Sequence, residues 1–385
     1  MFFTQHIDCK KKIKEDLGEN FITQVNESAI FYITVVDDNT LIINTAPSYR
    51  KMYYGSKTIS YSLDDHKKRV LIKNMNTVSH NFTLIKNHES KEIWGVGGCG
   101  KRNKKDYTDG IYLLYSKNNM KSWKMHNNII VAKDTKGWNP KGDSTFDSNI
   151  TCFYSTILEK YLLFTRYNIG GGSRGIQLFT TSHFKRGWDK GELCHIDTYK
   201  IRENYYMNKI IEVPEHKVFI MVAPFSDLKK RSDSGLKVMV SKNAVEWYDC
   251  GLVKKARVVD KHTSTPNIQP VDLILKGDIL SIWYHDHYFS NEKSNIYKIN
   301  VNIQNFIGCI FDKKQLTTET LIKTSKIKVN CEMKPTSSVK IIINKKDYSM
   351  DKNGIIELND SNTLNETCKI LWNFNDVIVY GFTFV

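Results

Sequence analysis

Two polar segments interrupt the strand-like pattern of this 385-residue chain, and each contains an aspartate. They are residues 143–149, Asp-Ser-Thr-Phe-Asp-Ser-Asn, and residues 283–288, Trp-Tyr-His-Asp-His-Tyr. Two carboxyl groups on opposite sides of a glycosidic bond can hydrolyse it, one as general acid and the other as nucleophile or base. Asp147 and Asp286 are the candidates for such a pair, with Asp143 and Asp278 as neighbours that could substitute. An alternative for Asp147 stays open, because an Asp beside a Ser often caps a turn through its own backbone.

A glycine-rich segment lies between two arginines. Arg166 and Arg174 flank residues 168–173, Asn-Ile-Gly-Gly-Gly-Ser, which predicts a hairpin tip with an arginine on each side. A guanidinium group can bind a carboxylate or a hydroxyl-rich ligand through its N–H donors. The alternative is a mobile hairpin with two surface arginines. The segment is not a phosphate-binding loop, because it lacks the G-x-x-x-x-G-K-[ST] pattern.

Five more residues are candidates for contacting a sugar. His80 and Asn81 precede a predicted strand, where they could donate hydrogen bonds to sugar hydroxyl groups or hold a loop in place. Trp94, Tyr206 and Trp283 could stack on the apolar face of a pyranose ring. The alternative for an aromatic residue in a strand-rich chain is a place in the core.

The histidines beside Asp286 raise the question of a metal site. In a strand, His285 and His287 would point to one face and Asp286 to the other. Two histidines on one face could bind zinc, but no third ligand stands at an informative spacing. We interpret them as a hydrogen-bonded surface pair and predict neither a metal nor another cofactor. The same alternation argues against Asp286 and both histidines serving one site.

The elements that must position these residues are marked by a recurring phrase. A strand-like run, a Ser-Lys-Asn or Ser-His-Phe turn and a Trp occur together at residues 116–123, 182–188 and 241–247, with the serines 66 and 59 residues apart. That spacing holds about four short strands, the period of a β-propeller blade. Aromatic residues make up 12% of the chain, which also favours strands. A propeller would place the chemistry at the mouth of its central channel.

The chain is predicted to be all-β and to have three parts. Residues 1–25 form an N-terminal extension with a helix from about Lys10 to Asn20, and residues 26–315 form a five-bladed β-propeller. Residues 316–385 form a small C-terminal β-sandwich, because evenly spaced strands continue there without the Ser…Trp phrase.

The charge of the chain is strongly basic, with 56 Lys and Arg against 41 Asp and Glu and a net charge of +15. Such a balance fits nucleic acid, an anionic membrane or an acidic glycan as partner. The lysines are scattered, and no zinc-finger, helix-turn-helix or RNA-binding motif accompanies them. We therefore predict no nucleic-acid partner. A structural module that binds partners through its basic surface is kept as an alternative to the two hypotheses given below.

Cysteine usage and hydropathy indicate a reducing, cytoplasmic environment. The eight cysteines form no C-x-x-C pair, and several stand in apolar runs, where a free Cys behaves as a small buried hydrophobe. No signal peptide and no stretch of eighteen apolar residues is evident. The oligomeric state is left open by the sequence.

The order of several short motifs resembles a known family. These motifs are Tyr49-Arg50-Lys51-Met52-Tyr53-Tyr54, His80-Asn81-Phe82, Gly95-Val96-Gly97-Gly98, the three Ser…Trp phrases, Phe146-Asp147-Ser148, Arg166, Arg174-Gly175-Ile176, Tyr284-His285-Asp286-His287-Tyr288 and Tyr380-Gly381-Phe382-Thr383-Phe384. Together they resemble the five-bladed β-propeller glycoside-hydrolase-like proteins of bacteria and large DNA viruses, which are related to glycoside hydrolase families 32 and 43.

The resemblance implies a sugar-facing funnel at the channel mouth. The positions that match functional residues of the family are His80, Asn81, Asp147, Arg166, Arg174 and Asp286. The chain departs from the family pattern at Ile150, where an Asn is expected, at Ser155, where an acid is expected, and at Asp286, where a Glu is usual.

Two functional hypotheses follow from these residues. In the first, the chain hydrolyses a glycan at the channel mouth, with Asp147 as nucleophile or base, Asp286 as general acid, and no cofactor. In the second, a catalytically degenerate propeller binds carbohydrate without cleaving it, as a component of a virion or another surface. The predicted location is accordingly cytoplasmic or virion-associated.

Overall fold

The computed structural model describes most of the chain. The described residues are 19–25, 30–37, 39–45, 57–64, 69–72, 82–85, 92–99, 110–132, 150–170, 173–189, 191–197, 203–206, 208–227, 234–257, 265–288, 292–303, 309–310, 315–321, 326–343, 346–351, 355–357 and 367–384. Within these ranges the secondary structure consists of β-strands, isolated β-bridges and 3-10 conformation at Pro214–His216 and Ile303. The predicted all-β class is confirmed. No helix among these residues is long and apolar enough to cross a membrane.

The chain divides at Asn302 into two compact units. The larger unit contains strands β1 to β22, and the smaller unit contains β23 to β28. The smaller unit begins upstream of the predicted boundary between residues 315 and 316. The reason is that β23 (Cys309–Ile310) already pairs with β28 (Thr367–Phe384).

Two sheets of the larger unit contain four consecutive antiparallel strands each. Short connections favour this arrangement, since antiparallel neighbours can be joined by tight turns. The first sheet consists of β2 (Ile30–Asp37), β3 (Thr40–Thr45), β4 (Lys57–Ser62) and β5 (Arg69–Leu71). The second consists of β6 (Phe82–Leu84), β7 (Ile93–Cys99), β8 (Gly110–Ser116) and β9 (Lys124–Ala132).

A ten-stranded sheet contains two further groups of four antiparallel strands. One group is β10 (Thr151–Ser155), β11 (Lys160–Gly170), β12 (Ser173–Thr181) and β13 (Glu192–Leu193). The other is β16 (Lys209–Val213), β17 (Val218–Asp227), β18 (Gly235–Ser241) and β19 (Glu246–Lys255). The groups are joined by β15 (Glu203–Tyr205), which pairs with both β12 and β17, and β14 (His195–Ile196) lies beside β19.

The last sheet of the larger unit is completed by the N-terminal strand. β20 (Gln269–Lys276), β21 (Ile279–His285) and β22 (Asn295–Asn302) follow one another, and β1 (Glu19–Gln24) pairs with β22. Residues 19–24, predicted to lie in an N-terminal extension, therefore belong to this sheet. Glu19 and Asn20, predicted to end a helix, are in β1. Pairing with a distant strand decides the conformation here, which local propensity does not reveal.

The first strands of the five groups contact one another in a closed ring. The order of contacts is β2, β6, β10, β16, β20 and back to β2. We call these five the ring strands. Their sheets pack face to face: one core cluster joins Tyr32 of β2 to Phe82 of β6 and Trp123, and another joins Ile33 to Val271 of β20. The core of this unit therefore lies between neighbouring sheets.

The Ser…Trp phrases close outer hairpins of the sheets, as predicted. Between β8 and β9, the backbone N–H of Met120 donates to the Ser116 hydroxyl at 3.0 Å, and the Trp123 side chain is completely buried. Between β18 and β19, the side-chain oxygen of Asn243 accepts from the N–H groups of Val245 and Glu246 at 3.0 and 2.8 Å. These local bonds explain why a Ser-x-Asn turn recurs where one strand must reverse into the next.

The smaller unit is one sheet built on two long strands. β25 (Lys326–Ile343) and β28 pair along most of their length, with a register shift between Met333 and Ser338. On one side of the shift, β24 (Gln315–Leu321) and β26 (Lys346–Ser349) flank this pair; on the other side, β23 and β27 (Ile355–Glu357) do so. Two layers of a sandwich at this position stay a prediction.

Candidate functional site

The β11–β12 hairpin places two arginines on one face. Arg166 pairs with Ile176 across the hairpin, and Arg174 pairs with Asn168. Paired residues share a face of an antiparallel sheet, and so do residues two apart in one strand. Ile176, the partner of Arg166, is two residues from Arg174 in β12, so Arg174 lies on the same face as Arg166. The sequence prediction that these two side chains flank a hairpin tip is confirmed in its geometry.

Tyr206 lies where the two guanidinium groups converge. It follows β15, whose Asn204 pairs with Arg174 of the neighbouring strand. The Arg174 guanidinium carbon is 4.9 Å from the centroid of the Tyr206 ring, and that of Arg166 is 5.7 Å from the same centroid. Both distances are within the range of a cation–π interaction. Three residues singled out from the sequence thus meet at one place.

Two residues from the last sheet of the larger unit complete this cluster. The Tyr288 ring lies 6.2 Å from that of Tyr206, and the His285 ring packs edge-to-face against Tyr288 at 5.9 Å. Tyr288 is fixed by its backbone N–H, which donates to the Asn267 carbonyl at 2.9 Å. We call Arg166, Arg174, Tyr206, Tyr288 and His285 the arginine–tyrosine cluster.

The cluster lies at the end of the ring where the ring strands begin. Phe164, two residues before Arg166, pairs with Thr151 at the start of β10, and His285 pairs with Gln269 at the start of β20. The Ser…Trp phrases stand at the opposite ends of the same sheets. The phrase at residues 182–188, for example, follows β12, which begins at Ser173 near the cluster and ends at Thr181. Side chains from two strand groups, and from the strand β15 that joins two groups, therefore converge at one end of the ring.

Burial within the cluster is uneven. Arg166, Tyr206, Tyr288 and His285 are at most 5% exposed, whereas Arg174 is half-buried. Arg174 is therefore the member through which the cluster meets solvent. Burial lowers the pKa of His285 to about 4, so its imidazole is neutral at pH 7.

Three of the predicted site residues fall outside the described part of the chain. They are His80, Asn81 and Asp147. In the sequence, His80 and Asn81 directly precede β6, and Asp147 precedes β10 by four residues. Their assignments stay predictions.

The carboxylate of Asp286 accepts hydrogen bonds within its own hairpin. It accepts from the backbone N–H of Asn295 at 2.7 Å, from the Asn295 amide at 3.0 Å and from the Tyr297 hydroxyl at 3.3 Å. These partners belong to β22, so Asp286 joins the two ends of the connection between β21 and β22. That is a geometry for holding a loop, and it turns the carboxylate toward Tyr297.

The predicted alternation of His285, Asp286 and His287 does not occur. β21 ends at His285, and His287 adopts a left-handed backbone with φ of 58°. Its Nε2 atom lies 3.5 Å from an Asp286 oxygen, and its Nδ1 atom lies 2.7 Å from a Glu292 oxygen. The two histidines therefore serve different neighbourhoods: His285 belongs to the arginine–tyrosine cluster and His287 to a cleft beside Asp286.

That cleft is closed by the N-terminal strand. Glu19, at the start of β1, accepts hydrogen bonds from Lys254 of β19 and from the Tyr284 hydroxyl of β21. Burial alone would raise the pKa of Glu19, but these two hydrogen bonds and the charge of Lys254 outweigh it, so the pKa is lowered. Both carboxylates of the cleft, Glu19 and Asp286, are engaged in joining strands.

Trp283 lies in the core. It is 5% exposed and packs in a cluster with Val25, Ile30 and Val271. The Lys298 ammonium lies 5.9 Å from the centroid of its ring. The stacking role of Trp283 stays a prediction.

A cavity of about 270 Å³ lies along the ring strands. Its polar lining includes Thr83, Lys209 and Asp272, one from each of β6, β16 and β20. The Lys209 ammonium donates to the Thr83 hydroxyl at 3.4 Å. The described residues contain no group of three or more His, Cys, Asp or Glu side chains placed to bind a metal ion.

Sequence reasoning missed Tyr288 and the role of His285. Both stand in the Tyr-His-Asp-His-Tyr segment at residues 284–288, in which the carboxylate of Asp286 was the predicted functional group. The available signal was the strand end: polar and aromatic residues that follow an apolar strand tend to project from the end of a sheet.

No protein-family profile matches the sequence. No curated protein matches it either. Similar solved structures include an N-acetylgalactosamine deacetylase from F. plautii in complex with blood group B trisaccharide, at 9% identity and a TM-score of 0.49 over 79% of this chain and 96% of the other. An endo-arabinase from Bacteroides thetaiotaomicron has 10% identity and a TM-score of 0.45 over 73% and 97%. A GH43 β-1,3-galactosidase has 10% identity and a TM-score of 0.44 over 90% and 74%. At this level of similarity, function must be argued from the residues of the chain itself.

Proposed function

We propose that the larger unit is a five-bladed β-propeller that binds a glycan at the end where the ring strands begin and hydrolyses a glycosidic bond there. The blade count is supported by five groups of four antiparallel strands whose first members contact in a closed ring. A propeller gathers residues from separate blades at the mouth of its channel, and ligand sites form at such convergence points.

The observation that carries this proposal is the arginine–tyrosine cluster. Guanidinium groups, a neutral imidazole and tyrosine rings meet there, and they come from two strand groups and from the strand that joins two groups. Planar aromatic rings can pack on the apolar face of a sugar, and guanidinium groups donate hydrogen bonds to its oxygens. His80 and Asn81, which precede a ring strand in the sequence, are proposed to add donors at the same mouth.

Asp147 and Asp286 are proposed as the catalytic carboxyl groups. Asp286 protonates the glycosidic oxygen as the bond from that oxygen to the anomeric carbon breaks, and Asp147 acts on the opposite face. As a base, Asp147 takes a proton from the water whose oxygen bonds to the anomeric carbon. As a nucleophile, it forms a glycosyl ester that water then hydrolyses, with Asp286 accepting the proton of that water.

A second candidate function is carbohydrate binding without cleavage. It is favoured by the hydrogen bonds that Asp286 accepts from Asn295 and Tyr297, because a carboxylate that holds a hairpin is not free to deliver a proton. The chain would then use the same pocket to hold a glycan, as a surface or virion component does.

Two carboxylate variants and a glycan panel separate these functions. The wild-type protein is incubated with a pool of labelled oligosaccharides at pH 5 and pH 7, and sugar release and binding are measured. Hydrolysis predicts release that Asp147→Asn abolishes while the melting temperature stays unchanged. Binding without release at both pH values supports the second function. Release that survives in Asp147→Asn shows that the catalytic assignment is wrong. If the wild-type protein shows no binding and no release, both functions are excluded.

A further inference from the structure

We propose that the glycan bound at the arginine–tyrosine cluster carries a carboxylate, as uronic and sialic acids do, and that this group is held by Arg174 and Arg166 above the Tyr206 ring. The inference rests on the proposed function and names its substrate class.

Two positive charges converge on one ring. The Arg174 and Arg166 guanidinium carbons lie 4.9 and 5.7 Å from the Tyr206 centroid, on the same face of one hairpin. Arg166 is only 3% exposed, and a charge acts more strongly where it is shielded from water. An anion placed beside this ring is attracted by both guanidinium groups, which gives an acidic ligand an advantage that a neutral sugar lacks.

The arginines are held in place before a ligand arrives. The Arg166 side chain is buried, both guanidinium groups pack on the Tyr206 ring, and the backbone N–H of Tyr206 donates to the Pro224 carbonyl at 3.4 Å. Less conformational entropy is then lost when a ligand binds, so more of the interaction energy contributes to affinity. Two exposed arginines with mobile side chains would lose more conformational entropy on binding.

The chemistry of the donors favours a carboxylate over other anions. The guanidinium fork is planar and matches the two oxygens of a carboxylate. His285 is held neutral by burial, so it adds no third positive charge. Its Nδ1–H donates to the Asp286 carbonyl at 3.1 Å, which leaves Nε2 as an acceptor for a sugar hydroxyl. A cluster with two cations beside a neutral acceptor suits an acidic sugar, which combines one negative charge with hydroxyl groups.

The test uses matched oligosaccharides that differ at one group. Each set on an array contains an oligosaccharide ending in a uronic acid, its carboxyl-reduced neutral form, and the neutral form carrying a sulfate ester; sialic acid and its carboxyl-reduced form make a further pair. For at least one set, the wild-type protein is expected to bind the carboxylate form about tenfold or more tighter than the neutral form, as charge-assisted hydrogen bonds do.

Arg174 is the position to change, since it is half-buried and its replacement leaves the core intact. Arg174→Gln should remove most of the preference for the carboxylate form, and Arg174→Lys should restore only part of it, because Lys keeps the charge without the fork. Lys185→Gln is the matched control. Lys185 also lies over an aromatic ring, that of Trp94 at 4.8 Å, but at the far end of the same sheet.

The outcomes separate this inference from the proposed function. Equal binding of the carboxylate and neutral forms overturns the inference and leaves glycan binding standing. Stronger binding of the sulfate ester than of the carboxylate overturns the choice of anion. If Lys185→Gln lowers the preference as much as Arg174→Gln, the preference comes from net charge and not from the cluster. If the wild-type protein binds no glycan at all, the proposed function fails first.

Discussion

Arg174 and Tyr206 join two groups of strands, with the guanidinium carbon 4.9 Å from the ring centroid. Arg174 stands in β12 and Tyr206 follows β15, the strand that connects the two groups of the ten-stranded sheet. The same ring centroid lies 5.7 Å from the Arg166 guanidinium carbon and 6.2 Å from the Tyr288 ring. The Tyr206 ring is therefore the centre of the arginine–tyrosine cluster.

Replacing Tyr206 should disorganise the site more than the fold. Tyr206→Leu removes the ring on which both guanidinium groups rest, and each cation–π contact contributes about 0.5–1 kcal/mol or more when it is shielded from water. We expect glycan binding to fall at least tenfold, measured by titration calorimetry. Tyr206→Phe keeps the ring and should lose less. Equal losses in the two variants would show that the hydroxyl group, and not the ring, matters.

The sequence predicted those parts of the site that lie within one hairpin. Arg166 and Arg174 were found because a short glycine-rich turn brings them together, and the Ser…Trp turns were found because their hydrogen bonds are local. Tyr288 reaches Tyr206 from another sheet, and no spacing along the chain encodes that contact. The repeated groups of four strands could be predicted from the period of the Ser…Trp phrase, since each group repeats one supersecondary unit.

Asp286 should contribute to stability whatever its chemistry. Asp286→Ala removes three hydrogen bonds that join β21 to β22, so we expect the free energy of unfolding to drop by about 1–3 kcal/mol. Tyr297→Phe removes one of the three and should cost about 1 kcal/mol or less. Urea denaturation measures both. An Asp286→Ala protein as stable as wild type would show that the carboxylate does not hold the hairpin, and would favour its role as general acid.

His285 should make stability depend on pH. Its pKa is lowered from 6.5 to about 4 by burial, so the unfolded chain binds a proton that the folded chain does not. Stability is therefore full above the unfolded pKa and declines as pH falls from about 6.5 to 4, by about 3 kcal/mol at most. His285→Gln cannot take up this proton. Its urea midpoints should fall less than those of wild type over this window, and parallel curves for the two proteins would contradict the assignment.

The N-terminal strand is the part that sequence reasoning placed least well. β1 pairs with β22, and the Gln24 amide donates to the Asn295 side chain at 3.0 Å across a separation of 271 residues. A short charged segment predicts a helix from local propensity alone, whereas the paired edge of a distant strand imposes an extended backbone. The prediction that a strand continues through His287 was also wrong, because β21 ends at His285 and His287 has a left-handed backbone.

Glu19 should stabilise the position of β1 in the larger unit. Its carboxylate accepts from Lys254 and Tyr284, so it ties β1 to β19 and β21. The lowered pKa of Glu19 means that this stabilisation is present above the unfolded pKa, about 4.3, and is lost as pH falls below it. At pH 7, Glu19→Gln should lower the free energy of unfolding by about 1 kcal/mol, and amide exchange along β22 should rise. Glu92→Gln breaks an ion pair with the exposed Lys117 and is the control, expected to change stability by less than about 0.5 kcal/mol. Equal effects of the two substitutions would show that Glu19 is only a surface charge.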